Sequence, residues 1–428
     1  MTEAVSSPPV VQEVLGGYRM HWVEGAEECL IVEVKHIQGD SHGGMNGEVT
    51  IWHDFTMQDK PTLSGVRVNL LSEQRRTAVA KRLTAIKPEL PWDAVIEQVC
   101  HEVIVRYRAG DPGEMIEPVD DADMVVPQYL LNPLILQGVP NVIYGDKGTS
   151  KTTIALLAAG CMFGPWEANP FGFGTNGGHH ATALLDYESS RDLTLFSAQR
   201  LRRGTSIPYF DLAYRHCKVP LADDVEQIGQ FLDKRGVDFV IVDSMGAACG
   251  GDLFKPEPAL RFFEALRALN KTWLIIAQNS KGEEGKKTIF GTTFFTYYSR
   301  NIFEVKKFGD FDEKVESYVA LIHTEANYSG KHDPMGFHLQ FTGNSIKVES
   351  THVTMGQLME KAQTQQKLIS ILREANTDMA LHDLAIATGS KEAALSVMLN
   401  KLKGKGQVVN RARGTWGLPS NLSGNITG

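Results

Sequence analysis

The sequence predicts an α/β fold built on a mostly parallel sheet with helices on both faces. Within residues 127–350, the short apolar segments NVIY, ATALLDY, DFVIVD and TWLIIAQ follow one another along the chain. Helical stretches such as KTTIALLAAGCMF and EPALRFFEALRAL separate them. This alternation is typical of parallel strands covered by helices. The later runs ESYVALIHT and GFHLQFT predict further strands at one edge of the sheet.

Smaller units flank this region on both sides. Residues 1–110 alternate apolar and polar residues and then become helical, which predicts a small N-terminal α+β domain of unknown role. Residues 111–126 are rich in proline, glycine and acids and predict a linker. Residues 362–418 predict three helices and a hairpin, an order that resembles a winged helix-turn-helix, and residues 419–428 predict a disordered tail.

The composition restricts the classes of function. With 42% hydrophobic and 22% charged residues the chain is an ordinary globular protein, and its net charge of -8 means that any DNA contact must be local. Five cysteines without a CxxC pair predict reduced thiols and no zinc site. The first residues lack the features of a secretory signal, and no stretch reaches the roughly 18 apolar residues of a membrane span. We therefore expect a cytoplasmic protein that does not enter a membrane.

The most specific motif is GDKGTSKTT, which follows the strand NVIY and precedes an apolar helix. This is the context of a phosphate-binding loop, in which backbone N–H groups bind the phosphates of ATP, Lys151 adds a charge and Thr152 ligates Mg²⁺. Ser150 stands where the motif GxxxxGK[ST] has glycine, and we expect weaker binding rather than none. The alternative is a chance glycine turn with an exposed lysine. The predicted nucleotide-binding residues are Gly145, Asp146, Lys147, Gly148, Thr149, Ser150, Lys151, Thr152 and Thr153.

Polar residues also end the next three apolar strands. Glu188 follows ATALLDY and is the candidate to deprotonate the attacking water, although it could be a solvated strand-end residue. Asp243 ends DFVIVD, where an aspartate would support Mg²⁺ together with Thr152. Gln278 ends TWLIIAQ and could sense the γ-phosphate or cap a turn. Because an open α/β sheet binds ligands at the carboxyl ends of its strands, these residues should converge on one crevice.

The order of these motifs resembles the RecA-like ATPases, and within them the RepA-like hexameric helicase group. LLDYESSRDLTLFSAQRL is similar to that group's strand, glutamate and helix with a trailing arginine, here Arg200. The resemblance implies a RecA-like fold and a ring whose active sites lie between subunits. It further implies that Lys281 or Arg300 reaches the γ-phosphate of a neighbouring subunit, although both could be surface cations. Gln278 and Asn279 replace the pair of histidines found in many relatives.

Three segments are candidates for DNA contact. Gly250–Asp252 lies between the third and fourth strands, where the resemblance implies a loop near the ring axis that could contact DNA or a neighbouring subunit, or simply connect two elements. Lys391–Arg413 holds six Lys or Arg against the single acid Glu392, which fits duplex DNA or a protein partner. In the N-terminal domain, aromatic residues near arginines could stack on single strands, but core packing explains them more simply. These residues are Trp22, Trp52, Phe55, Trp92, Arg67, Arg75 and Arg76.

Two hypotheses of function follow. The first is an ATP-hydrolysing, hexameric motor that acts on DNA, a helicase or translocase of the kind carried by mobile elements. The second is a loader or regulator in which ATP acts as a switch, without strand separation. Ser150 and the missing pair of histidines favour the second hypothesis.

Overall fold

The structure is a computed structural model that describes most of the chain. The described residues are 8–24, 27–39, 43–53, 60–110, 113–115, 126–164, 166–207, 210–280, 288–308, 315–328, 330–353, 364–375, 377–389, 392–404, 407–412 and 414–419. They form two compact units, of which the first combines residues 1–126 with 221–234 and 264–270, and the second comprises the remaining chain. No helix within the described ranges has the length and apolar character required to cross a membrane.

The first unit contains a five-stranded antiparallel sheet whose strands follow chain order. Alternating burial along β4 shows that one face of this sheet is packed and the other is more open, as expected for an antiparallel sheet. Trp22 and Trp92 are fully buried in the core, so core packing accounts for both rings. Phe55 lies outside the described residues. The elements are β1 (Val10–Val14), β2 (Gly17–Glu24), β3 (Glu27–Gly39), β4 (Met45–Trp52), β5 (Leu63–Asn69), α1 (Glu73–Ile86) and α2 (Trp92–Ala109).

A nine-stranded sheet dominates the second unit, with the strand order β11-β10-β12-β13-β8-β14-β15-β16-β17. Its strands are β8 (Pro140–Gly145), β10 (Thr182–Asp186), β11 (Leu212–His216), β12 (Phe239–Asp243), β13 (Thr272–Gln278), β14 (Asn301–Lys307), β15 (Glu316–Ala326), β16 (Met335–Phe341) and β17 (Ile346–Thr351). A separate small sheet contains β6 (Tyr129–Asn132), β7 (Ile135–Leu136) and β9 (Gly174–Thr175).

The first six strands in that order are parallel, and the last three are antiparallel to their neighbours. All residues of β10, and all but the last residue of β12 and β13, are buried. Such continuous burial requires cover on both faces of the sheet, because successive side chains of a strand point to opposite faces. The predicted mostly parallel α/β sheet, with further strands at one edge, is therefore confirmed.

Helices connect the parallel strands. They are α3 (Lys151–Phe163), α4 (Arg191–Gly204), α5 (Val225–Asp233), α6 (Met245–Cys249), α7 (Pro256–Leu269) and α8 (Phe294–Tyr298). Helix α3 is apolar on all sides, and every residue from Ile154 to Met162 is buried. A helix of this kind belongs in a core, which fixes the position of its first residue, Lys151.

The C-terminal elements follow the predicted order of three helices and a hairpin. They are α9 (Thr364–Ala375), β18 (Met379–Ala380), α10 (Leu381–Thr388), α11 (Glu392–Gly404), β19 (Val409–Ala412) and β20 (Thr415–Gly417). Strand β20 pairs antiparallel with both β18 and β19. Leucines from all three helices pack with Trp416 in a small core of their own.

Candidate functional site

The candidate site begins at the carboxyl end of β8. A Cβ atom on Gly145 would lie 2.3 Å from the carbonyl oxygen of Val305, so only glycine fits at this strand end. The loop then turns through Gly148, with φ of 78°, and Thr149, whose hydroxyl donates to the Asp146 carbonyl at 2.9 Å. Ser150 adopts the left-handed conformation with φ of 62° and ψ of 26°. The chain thus enters α3 through a geometry that glycine adopts without strain.

Lys151 is the first residue of α3 and folds back over the loop. Its Nζ donates to the carbonyl oxygens of Gly145 at 2.9 Å and Asp146 at 2.8 Å. Burial lowers the pKa of Lys151, while the carboxylates of Asp243, Asp146 and Glu188 oppose this change. The first turn of α3 contains no acidic residue. Its open N–H groups and this partly desolvated cation therefore suit a phosphate group.

Thr152 and Asp243 are the residues that could hold a metal ion. The hydroxyl of Thr152 donates to Oδ2 of Asp243 at 2.7 Å. Burial, followed by the neighbouring carboxylates of Glu188 and Asp186, raises the pKa of Asp243 to about 6. A hydroxyl and a crowded, desolvated carboxylate are oxygen ligands of the kind that Mg²⁺ accepts, and a cation here would relieve the repulsion between the carboxylates.

The ends of four parallel strands meet around one cavity. The pairing places Asp186 opposite Asp243 and Gln278 opposite Gly145, so these strands end at the same edge. The cavity measures about 230 Å³. It is lined by Lys147, Gly148, Thr149, Ser150, Lys151, Thr152, Thr153, Glu188, Asp243, Ser244, Ile276 and Gln278. Gly145 and Asp146 do not line this cavity, but their carbonyl oxygens hold the Lys151 side chain.

Ser244 is a site residue that the sequence analysis missed. It is buried and its hydroxyl donates to Oε1 of Glu188. This contact ties the otherwise exposed Glu188 to the end of β12. The available signal was its position directly after Asp243, since strand-end residues of a parallel sheet share one edge.

Gln278 and Asn279 connect the cavity to the segment that follows β13. The carbonyl of Gln278 accepts from the amide of Phe290 at 2.8 Å. Asn279 donates from Nδ2 to Oδ1 of Asp146 at 3.3 Å, which joins this strand end to the phosphate loop. A second cavity of about 220 Å³ is lined by Phe290 together with Glu188, Ser244 and Gln278. These contacts connect the cavity directly to the segment that follows β13, so a movement of Gln278 would also move Phe290.

Two of the other candidate cations, Arg300 and Arg200, lie outside the cavity. Arg300 precedes β14, and its amide donates to the carbonyl of Pro140, the first residue of β8. It therefore lies at the opposite end of β8 from Gly145 and is not part of the cavity. Arg200 stacks over Phe196 and donates to the carbonyl of Thr342. Lys281 lies outside the described residues.

A comparison with known protein families matches the part of the chain that contains the candidate site. Residues 120–284 match a family model described as an AAA domain. No curated protein matches the chain. The matched residues include the phosphate loop, Glu188, Asp243 and Gln278, and the match supports a domain of the P-loop ATPase superfamily in this region.

Proposed function

We propose that this chain hydrolyses ATP with Mg²⁺ and uses the reaction to act on DNA as a ring of identical subunits. The observation that carries the hydrolytic part is the single cavity in which a phosphate loop, Glu188, Asp243 and Gln278 meet. The proposed fold of this domain is RecA-like, of the RepA-like helicase group. The order and pairing of the parallel strands support it.

In this proposal the residues at each strand end have one role in hydrolysis. The loop amides and Lys151 bind the β- and γ-phosphates, and Thr152 and Asp243 would hold Mg²⁺, which would neutralise charge on the phosphates. Glu188 accepts the proton of the attacking water, and Ser244 holds one carboxylate oxygen so that the other faces the cavity. Gln278 senses the γ-phosphate and passes its presence to Phe290 through the hydrogen bond of its carbonyl group.

In the proposed ring, each subunit supplies a cation to the nucleotide cavity of its neighbour. The first candidate for this cation does not line the cavity of its own subunit. Arg300 lies at the other end of β8, and we propose that it reaches the γ-phosphate of a neighbouring subunit. Lys281 is the second candidate for this role. Arg300→Ala and Glu188→Gln subunits should each hydrolyse ATP poorly, while mixed rings should recover part of the activity. No recovery in subunits that co-assemble would contradict a trans role for Arg300.

The proposed contact with single-stranded DNA lies beside the loop Gly250–Asp252. Phe254 is 68% exposed and packs edge-on against Phe290, with ring centroids 5.2 Å apart. The amide of Thr292 donates to the carbonyl of Leu253 at 2.8 Å, which joins this loop to the segment after β13. An exposed aromatic ring can stack on unpaired bases, and this ring touches the segment that Gln278 controls.

We propose further that the C-terminal unit is a winged helix-turn-helix that contacts duplex DNA. Its three helices and three-stranded sheet support this interpretation. Lys403 is exposed, whereas Arg411 pairs with Asp378 at 3.2 Å, and Lys391 and Arg413 lie outside the described residues. Lys403→Glu should weaken duplex binding at every sequence and lower the salt dependence by about one phosphate contact. The control is Lys331→Glu, which changes an exposed lysine of the ATPase domain.

The second candidate function is an ATP-switched loader or regulator. The observation that favours it is the exposure of two apolar side chains of the C-terminal unit, Ile386 on α10 and Val397 on α11. Exposed apolar side chains of this size suit a protein partner better than a phosphate backbone. A loader would bind DNA and ATP without separating strands.

The decisive experiment measures ATP hydrolysis with and without single-stranded DNA, alongside strand displacement on a forked duplex. A motor should show DNA-stimulated hydrolysis and displacement, whereas a switch should show slow hydrolysis and no displacement. Lys151→Ala is the control, because it removes the positive charge that the phosphate loop holds at the start of α3 and should abolish ATP binding. Unchanged nucleotide affinity in this variant would contradict the assignment of the phosphate loop.

A further inference from the structure

Asp186 is the most deeply buried carboxylate near the candidate site. It is the last residue of β10 and only 1% exposed, and it is not part of the nucleotide cavity. Burying a carboxylate is costly unless hydrogen bonds compensate for the lost water. The hydrogen bonds that offset the cost of burying Asp186 therefore indicate the role of this side chain.

One carboxylate oxygen of Asp186 shapes the turn that carries Glu188. Its Oδ1 accepts from the amide of Glu188 at 3.0 Å and from the amide of Ser189 at 2.7 Å. An aspartate that accepts from amides two and three residues later fixes a tight turn. This turn sets the direction in which the side chain of Glu188 points after the end of β10.

The other carboxylate oxygen is held by a tyrosine on the edge strand of the sheet. Oδ2 of Asp186 accepts from the hydroxyl of Tyr214 at 2.9 Å and more weakly from that of Thr194 at 3.4 Å. Tyr214 belongs to β11, which pairs in parallel with β10. Burial, followed by the hydrogen bond and charge of Asp186, raises the pKa of Tyr214, so its hydroxyl remains a donor at neutral pH.

Glu188 is thus held at two points. Ser244 holds its carboxylate, and Asp186 holds its backbone amide. Because Glu188 is exposed, packing by itself does not fix its position. Proton transfer depends on distances of a fraction of an ångström, so the turn must be as rigid as the strand before it.

We propose that Asp186 and Tyr214 form a positioning pair that fixes the Glu188 turn. The inference rests on the hydrolytic role proposed for Glu188. Asp186 acts through the backbone of Glu188 and Tyr214 acts through Asp186, so neither residue touches the nucleotide. Loss of the pair should slow the chemical step and leave nucleotide binding intact.

The test compares Tyr214→Phe, which removes one hydroxyl group, with Tyr328→Phe, which removes an exposed hydroxyl after β15. Three quantities are measured: kcat, the dissociation constant of Mg·ATP, and hydrogen exchange of the amides of Glu188 and Ser189. Tyr214→Phe should lower kcat about tenfold, because a small displacement of a catalytic group has a large effect on rate. It should raise exchange in the turn and change nucleotide affinity less than twofold, whereas Tyr328→Phe should change none of the three.

Asp186→Asn is the stronger variant, since its amide nitrogen cannot accept a hydrogen bond. It should lower kcat about a hundredfold, and amide exchange in the turn should rise further. Equal losses of kcat and nucleotide affinity in Tyr214→Phe would indicate a general structural role and overturn the proposal. Unchanged exchange or unchanged kcat in Tyr214→Phe would overturn it as well. A wild-type chain that does not hydrolyse ATP would instead contradict the proposed function, while the exchange measurement still reports whether the pair holds the turn.

Discussion

The two parts of the nine-stranded sheet differ in where they place their polar residues. Strands β11, β10, β12, β13, β8 and β14 are parallel, and four of them bring their carboxyl ends to the cavity. Strands β15, β16 and β17 run antiparallel to their neighbours, so their ends alternate between the two edges. Strand direction, more than polar composition, decides where side chains can assemble into a site.

The antiparallel part uses its polar side chains differently. His323 on β15 is only 4% exposed and stacks on Phe303 at 4.2 Å. His338 on β16 stacks on Tyr318 and contacts Glu316 across the strand pair at 2.8 Å. These contacts join adjacent strands and do not gather several strand ends around one cavity. We therefore expect substitutions in the parallel part to change catalysis and those in the antiparallel part to change stability.

The largest expected effect is that of Glu188→Gln. The amide keeps the shape of the side chain but cannot accept a proton, so hydrolysis should fall by roughly 10²- to 10⁴-fold while nucleotide binding is kept. The matched control is Glu325→Gln, an exposed carboxylate on β15. Steady-state hydrolysis and nucleotide titration measure both quantities. Near wild-type turnover in Glu188→Gln would mean that the base is another residue.

Sequence patterns predicted β8, β10, β12 and β13 and the polar residues at their ends, because these depend on the local order of residues, but they did not predict β11 or β14. The same patterns could not predict the pair of Asp186 and Tyr214, because β11 follows β10 along the chain but lies outside it at the edge of the sheet. Nor could they predict that Ser244 holds Glu188, which depends on the conformation of two turns. The position of Arg300 beside Pro140 likewise required the pairing of β14 with β8.

A medium effect is expected for the pH dependence of stability at His323. Burial, followed by the charge of His332, lowers the pKa of His323 to about 4, from an ordinary value of 6.5. The unfolded chain therefore takes up this proton at a higher pH than the folded chain does. The stabilisation is present above pH 6.5 and is lost as the pH falls towards 4, amounting to about 2 kcal/mol between pH 7 and pH 5.

The measurement is urea unfolding of the wild type and of His323→Gln at both pH values. The variant should be less stable at pH 7 and should lose less stability on acidification, with unchanged ATP hydrolysis at pH 7. The control is His382→Gln. The hydrogen bond with Glu392 raises the pKa of His382, so its contribution to the pH dependence of stability has the opposite sign to that of His323. An equal pH dependence in the wild type and His323→Gln would show that this histidine is not buried in its neutral form.

The smallest expected effect concerns Ser150, the departure from the phosphate-loop motif. Its left-handed backbone, with φ of 62°, costs a residue with a Cβ atom about 1 kcal/mol more than it costs glycine. Ser150→Gly should therefore raise the free energy of unfolding by about 0.5 kcal/mol, because greater freedom of the unfolded chain offsets part of the gain. Ser190→Gly is the matched control, since Ser190 precedes α4 in an extended conformation with φ of -139° and has no such strain to lose. Ser190→Gly should lower the free energy of unfolding slightly, so the two variants should change the urea midpoint in opposite directions.

Because glycine leaves the loop amides and Lys151 in place, Ser150→Gly should bind ATP at least as tightly as the wild type. A loss of stability in Ser150→Gly would mean that the serine hydroxyl makes a contact in solution that outweighs the backbone strain.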